Sequence, residues 1–386
     1  MKIVLIPDSF KGTLSSNKIC EIMSEKAKSI LNAEVLCVPV ADGGEGSVDC
    51  FLSAMGGRKV PVTVNGPYFK QIDTYYGICG DTAVIETASC ASLPMVKDDK
   101  NPLLTTTFGV GEQIIHAVKS GVKNIIVGLG GSCTNDFGLG AACACGAEFY
   151  DENGASFIPT GGTLKDVVKA DVSALRKNLS GVKITAMCDI DNPPYGKQGA
   201  AEVFAPQKGA DKKQVAILDS GVKHMCEILK RDFGIDLSNL PGGGAAGAFG
   251  AGLSGFFGAE LKMGIETVLD AVGFDDMLQD TDLVITGEGK IDSQSLRGKV
   301  VIGVSRRAAE KGVPVVAVVG GADGDMTSAY AEGVTAVFPI NRMPEDFSVS
   351  KHFAERNLSA TAEDLFRLIK GLDNYLQKID KSIRKC

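Results

Sequence analysis

Histidine is scarce, with three in 386 residues, and none adjoins a nucleophile. His116 and His224 sit in helical patterns and His352 precedes the last one, which argues against Ser-His-Asp and Cys-His hydrolases and marks the histidines as structural. Metal-finger and redox spacings are missing too: none of the eleven cysteines forms a C-x-x-C pair, and the nearest two are Cys143 and Cys145. A chain of this length needs no disulfide staples, so the cysteines read as small core residues in a reducing cytoplasm. Positive charge is short as well. A net charge of −7 leaves no basic field for nucleic acid or an anionic membrane, so an anionic ligand would need local positive charge or a metal. Behind Lys2 only Ile3 to Ile6 is apolar, too short for a signal peptide, and no run approaches membrane-spanning length. The expected location is cytoplasmic. Solenoid repeats, low-complexity tails, a P-loop and a protein-kinase catalytic loop are all absent.

What the chain does have is a repeated junction. Asp282 to Thr286 reads as a buried strand and ends in Gly287-Glu288-Gly289-Lys290-Ile291-Asp292. Ile3 to Ile6 runs into Pro7-Asp8, Val35 to Val40 into Asp42-Gly43-Gly44-Glu45-Gly46, and Ile125 to Val127 into Gly128-Leu129-Gly130-Gly131-Ser132. Ile184 to Met187 runs into Asp189-Ile190-Asp191-Asn192, and Val315 to Val319 into Gly320-Gly321. Turns favour Gly and Asp in any protein. Repetition on acid-bearing strand ends points further, because open α/β sheets bind ligands beyond the carboxyl ends of their strands, where bare backbone approaches phosphate and acids hold metal.

The length favours two domains over one core. Helical periodicity covers 14–31, with Ile19, Ile22, Met23, Ala27 and Ile30 on one face and Ser15 or Ser16 as cap. From Arg58 to Thr87 the pattern alternates with period two, around turns at Asn65-Gly66-Pro67 and Gly80-Asp81, and predicts an antiparallel insert. Helices and strands alternate again from Phe108. The expected fold class is α/β: a parallel flavodoxin-like or Rossmann-like sheet domain from residues 1–57 and 260–386, a mixed α/β domain inserted at 58–259, and an active site in the interdomain cleft.

Gly242-Gly243-Gly244-Ala245-Ala246-Gly247 matches the letters G-x-G-x-x-G. No buried strand precedes it, so the dinucleotide-binding mechanism is unsupported; amides facing a phosphate or a tightly packed helix start are the remaining readings. Phosphoryl transfer without a P-loop still requires amides or lysines on the phosphates, carboxylates on magnesium and an Asp-like base near the acceptor hydroxyl. Gly130-Gly131-Ser132-Cys133-Thr134-Asn135-Asp136 follows a strand and reads as opening a helix, where amides and hydroxyls either hold an anion or simply cap. Lys11 and Lys208 follow comparable junctions and are either anion ligands or solvated surface charges.

Taken in order, these segments resemble the bacterial glycerate kinase family of the two-domain type. The resemblance spans nearly the whole chain through Pro7-Asp8-Ser9-Phe10-Lys11-Gly12, Asp42 to Gly46, Gly130 to Asp136, Pro206-Gln207-Lys208-Gly209-Ala210, Gly242 to Gly247, and Thr286 to Gly289 with Asp292, Gln294, Gly298 and Lys299. Two departures stand out: Asp191-Asn192-Pro193-Pro194-Tyr195-Gly196 replaces an Asn-Pro-Leu-x-Gly form, and Ala205 replaces a Gly. The resemblance implies ATP-dependent, Mg2+-assisted phosphorylation of D-glycerate to 2-phosphoglycerate, in glycerate, glycolate or sugar-acid catabolism. On that basis Asp189, Asp42 and Lys11 are the candidate catalytic residues. Gly130, Gly131, Ser132, Thr134, Asn135, Lys208, Gly243, Gly244, Gly287, Glu288, Gly289 and Lys299 are assigned to ATP. Asp8, Lys11, Asp42 and Glu45 are assigned to substrate, and Asp189, Asp292 and Glu288 to metal. The competing readings are a kinase for another small hydroxy acid or polyol, and a non-catalytic nucleotide or metabolite sensor. Nucleic acid and membrane are not expected partners; a homodimer is an open option.

Overall fold

The computed structural model describes residues 1–40, 46–291 and 299–383. By contact density the chain forms two compact units, a terminal unit of Met1–Asp42 with Val268–Cys386 and an inserted unit of Gly43–Thr267.

The terminal unit is built on five strands, all parallel, in the spatial order Val334–Pro339, Val315–Val319, Leu283–Gly287, Lys2–Pro7, Glu34–Cys37. Numbered within this unit, that order is 5-4-3-1-2, the flavodoxin-like winding. The strands are Val- and Ile-rich because both faces are covered. Ile3, Leu5, Leu283, Ile285, Val316 and Val318 face the helices Ser16–Leu31 and Ala354–Ile383, through Ile19, Met23, Leu358 and Phe366. The alternate residues Ala317 and Val319 pack with Val301 and Ile302 of the helix Val300–Glu310 on the opposite face. Period-two alternation thus sorts one strand between two cores. The first helix starts where Ser15 accepts from Lys18 N and stops at Asn32, in the left-handed region, whose N–H reaches Lys28 O.

The inserted unit carries six strands in the order Glu260–Lys262, Lys183–Met187, Asn124–Gly128, Thr82–Glu86, Gln71–Cys79, Arg58–Asn65. The first four run parallel. The last two add on as an antiparallel meander from Thr82–Glu86. The alternating segment from 58 is therefore antiparallel as expected, but it extends the parallel sheet rather than standing apart. The short helix Ser47–Met55 packs on this meander. Its N-terminus is held by the Glu86 carboxylate, which accepts from Val48 N at 2.7 Å. The long helix Lys212–Phe233 begins with a capping box between Asp211 and Gln214 and ends at left-handed Gly234.

Candidate active site

Flavodoxin-like sheets bind ligands at the topological switch point, here between the strands Lys2–Pro7 and Leu283–Gly287. Pro7 is in register with Gly287, so Asp8 and Glu288 emerge side by side from the carboxyl ends. Asp8 N donates to Gly287 O at 2.8 Å, and its own Oδ1 accepts from Ser9 N at 2.6 Å. Glu288 is buried and Lys11 is exposed. The glycines here are demanded by backbone contact. A Cβ on Gly287 would stand 2.0 Å from Val318 O, and one on Gly289 3.2 Å from Lys11 N, which presses the Glu288 loop onto the Phe10–Lys11 turn. Lys299 is exposed at the N-cap of the helix Val300–Glu310. Asp42, Glu45 and Asp292 lie outside the described residues.

In the inserted unit the sheet register brings Glu86, Gly128 and Met187 into one row. The residues just beyond that row, Thr87, Leu129 onward and Asp189, therefore share one edge. The segment 129–136 departs from its expected form. The following helix, Leu139–Ala144, starts later and has only six residues. Gly130 to Cys133 instead run as a strap, fixed by Leu93 N on Gly131 O at 3.1 Å and Cys133 N on Ala91 O at 2.8 Å. The Cys133 amide is thus committed to backbone.

Lys208 is buried, at 3% exposure. Its ammonium donates to Thr134 O at 2.7 Å and Ser132 Oγ at 3.1 Å. No carboxylate pairs with it among the described residues. Burial without a counter-ion pulls its pKa down to about 8, while Cys133 and Asp136 act in the opposite direction. The sequence had left Lys208 open between surface charge and anion ligand; the fold removes the first reading. Next to it, Thr134 Oγ1 and both polar atoms of the Asn135 amide are buried with no hydrogen-bond partner, as is Thr87 Oγ1. An uncompensated buried cation beside unsatisfied buried donors and acceptors is costly in a folded protein, and sites that bind ligands are where such costs concentrate.

Sequence reasoning assigned no role to Asp136, which organises this edge. Fully buried, its carboxylate accepts from Thr107 N at 2.7 Å, Thr107 Oγ1 at 2.8 Å, Gly138 N at 3.1 Å and Gly140 N at 3.3 Å. Burial raises its pKa and these four donors oppose the rise. The signal available beforehand was an acid inside an apolar and glycine-rich run, together with the threonine triplet Thr105-Thr106-Thr107 ahead of the helix Phe108–Lys119.

The 242–248 segment supports the same strap from below. Gly243 N donates to Leu240 O and Gly244 N to Asn192 O. A Cβ on Gly244 would stand 2.5 Å from Pro193 O, so this glycine permits close packing on the 191–196 loop. Ala246, Gly247 and Ala248 take successive left-handed conformations, with φ of 52°, 70° and 67°, and Phe137 N donates to Gly247 O. Two alanines in that region are strained, and strain of this kind gathers at functional sites.

Asp189 is exposed, with Oδ1 accepting from Gly264 N at 2.7 Å. Two of the histidines are structural: His116 Nδ1 meets Tyr76 OH at 2.9 Å and His224 Nε2 meets Val167 O at 2.7 Å. Among the described residues no three His, Cys, Asp or Glu side chains cluster to hold a metal ion. Magnesium in phosphotransferases is commonly held by one or two carboxylates plus the substrate phosphates, so exposed Asp189 suits it without a preformed cage.

A sequence profile described as the Glycerate kinase family matches residues 3–370. This chain belongs to the glycerate kinase family. It is 41% identical to the glycerate kinase of Bacillus subtilis (strain 168) over 374 residues, 96% of this chain and 98% of that protein. It is 42% identical to the glycerate 2-kinase of Escherichia coli (strain K12) over 344 residues, 88% of this chain and 90% of that protein. A crystal structure from Salmonella typhimurium LT2, assigned by name as glycerate kinase 2, superposes with a TM-score of 0.87 at 40% identity, covering 97% of this chain and 99% of the other. The chain is accordingly an α/β protein and a kinase. No helix among the described residues is long and apolar enough to cross a membrane.

Proposed function

We propose that the enzyme transfers the γ-phosphoryl group of ATP to the 2-hydroxyl of D-glycerate, giving ADP and 2-phosphoglycerate. The observation carrying the choice of hydroxyl is the 42% identity to a glycerate 2-kinase. In this reading the inserted unit supplies the nucleotide's phosphate contacts through Gly130, Gly131, Ser132, Thr134, Asn135 and Lys208, on a floor that includes Gly243 and Gly244. The terminal unit adds Gly287, Glu288, Gly289 and Lys299. Lys11, with Asp8, Asp42 and Glu45, receives glycerate, its ammonium meeting the carboxylate. Asp189, or failing it Asp42, takes the proton of the attacking hydroxyl as the phosphoryl group moves across. The Gly264 N–H on Asp189 Oδ1 holds that carboxylate in one orientation. Asp189, Asp292 and Glu288 would hold magnesium, which would supply charge neutralisation on the phosphates.

Two measurements test this. Phosphorus NMR of the product made from D-glycerate should show a phosphate ester on carbon 2; a 3-phosphate ester overturns the choice of hydroxyl. ADP release by Asp189→Asn should fall about 100-fold or more, in line with removal of a general base. Unchanged turnover in the folded variant removes Asp189 from the chemistry.

A further inference from the structure

The terminal unit contains a cavity that none of the proposed catalytic groups lines. It has a volume of about 290 Å³ and is bounded by the loop residues Asn341, Arg342, Met343 and Glu345 on one side and by Ser350, Arg356, Asn357 and Ala360 on the other. The loop leaves the strand Val334–Pro339 at its carboxyl end, the edge at which open α/β sheets bind ligands. The opposite wall is nearly continuous helix, through Phe347–Ser350, Lys351–Phe353 and Ala354–Ile383. Ser350, Asn357 and Ala360 follow at intervals of seven and three residues, so they lie on one face of it.

Two polar side chains of this wall face the cavity. Ser350 and Asn357 are 4% and 8% exposed as whole residues and both line the cavity, and neither is among the polar groups of the described residues that are sealed from solvent without a partner. Their polar atoms are therefore open to the cavity and available to a ligand or to water. The charge at the rim narrows the partner. Arg342 uses one nitrogen on Asp364 at 2.8 Å, leaving further N–H groups of its fork, and Arg356 lies over the Phe353 ring at 4.5 Å with no acid paired to it among the described residues. Glu345 is the one acid on the lining, against two guanidinium groups. Paired guanidiniums with an amide and a hydroxyl are the donor set of an oxyanion site, since the fork of Arg matches carboxylate and phosphate oxygens. The volume is at the bottom of the roughly 300–1,000 Å³ range of drug-sized sites, which suits a small anion and is tight for a whole nucleotide.

We infer that this cavity binds a small oxyanion metabolite, a carboxylate or phosphate ester of a few carbons or phosphate itself, at a site separate from Lys11, Glu288 and Lys208. The guanidiniums of Arg342 and Arg356 hold the charge, and Asn357 Nδ2 and Ser350 Oγ donate at the buried end.

Titration calorimetry on the full-length enzyme without nucleotide tests it, with inorganic phosphate and sodium D-glycerate as separate probes and sodium chloride as the control. The variants are Arg356→Met and Asn357→Asp; the second keeps the side-chain shape while placing a like charge against the anion. The expected result is that phosphate or glycerate binds the parent at a stoichiometry that both variants reduce by one site, or with at least tenfold weaker affinity, while ADP release at saturating ATP and D-glycerate stays within twofold. Phosphate alone responding assigns the site to phosphate esters, and both probes responding assigns it to oxyanions generally. Indistinguishable titrations of parent and both variants, or a response that chloride reproduces, overturn the inference. The unaltered ADP release of the variants separates this outcome from a failure of the proposed glycerate chemistry, which would appear in the parent as well.

Discussion

At the carboxyl edge of the terminal sheet, Lys11 and Lys299 are exposed and Asp8 turns back onto its own Ser9. At the corresponding edge of the inserted sheet, Lys208 is buried, Asp136 is buried, and Asn135 and Thr134 have polar atoms with no partner. The two sheets share the rule that loops beyond parallel strands carry the polar chemistry. They differ in who solvates it. In the terminal unit, water can serve the exposed lysines, so their placement costs little and also fixes little. In the inserted unit the protein has withdrawn water from a cation and several hydrogen-bonding groups, and an incoming anion would restore what folding removed. The inserted edge is therefore the preorganised one, held before substrate arrives, and the terminal edge is the adaptable one.

The comparison breaks most visibly at Asp136. Asp136→Asn keeps the shape but points an amide donor at some of four existing donors. It should cost about 3 kcal/mol, or roughly 6–12 °C in the melting of a unit this size. A calorimetric scan that shows a drop under 2 °C would mean this edge is not rigidly held. Next comes Lys208→Met. With Lys208 on the nucleotide's phosphates as proposed, removing its buried charge is worth roughly 3 kcal/mol, near a 100-fold loss in kcat/KM, whereas the melting temperature should stay level or rise because an unpaired buried charge is gone. A surface lysine would show the reverse pattern, with neither quantity moving.

Smaller still, Thr134→Val should deepen the contrast. It deletes a hydroxyl that has no partner in the folded chain, so thermal stability should hold or gain about 1 kcal/mol, while the KM for ATP rises about tenfold through loss of one hydrogen bond. An unchanged KM separates that hydroxyl from the substrate. The finest test is pH. Lys208 has its folded pKa lowered to about 8 from 10.5. Below pH 8 folded and unfolded chains both hold the proton. Between about 8 and 10.5 only the unfolded chain does, so this residue's contribution to stability rises with pH through that window as its charge on the anion is lost. The kcat/KM ratio of parent to Lys208→Met, measured by ADP release from pH 7 to 9.5, should accordingly shrink toward one as pH rises. A ratio independent of pH would show that Lys208 keeps its proton throughout.

The parallel strands were legible because burial on both faces forces a continuous apolar run, and their ends were legible because glycine and acids interrupt it abruptly. The strands Lys2–Pro7, Asn124–Gly128, Lys183–Met187 and Val315–Val319 fall where those runs put them. Lys208 was visible as a residue but not as a buried one, because nothing in Pro206-Gln207-Lys208-Gly209 reports that Ser132 and Thr134, more than seventy positions away, will accept its ammonium. Asp136 was read as part of a helix-opening motif. Its role depends on Thr107, Gly138 and Gly140 converging on one carboxylate.

By itself, then, the order of residues marked the sheet-forming segments, since hydrophobic periodicity and strand-end glycines act within a few positions of the chain, and it pointed to the class of chemistry through the resemblance of its motifs to a known family. Which lysine lies in water and which is sealed against a backbone carbonyl, which glycines are needed for packing, and where two arginines come to face a buried asparagine were decided only in three dimensions. Burial and hydrogen-bond satisfaction are properties of neighbours brought together by folding, and a linear pattern carries no record of them.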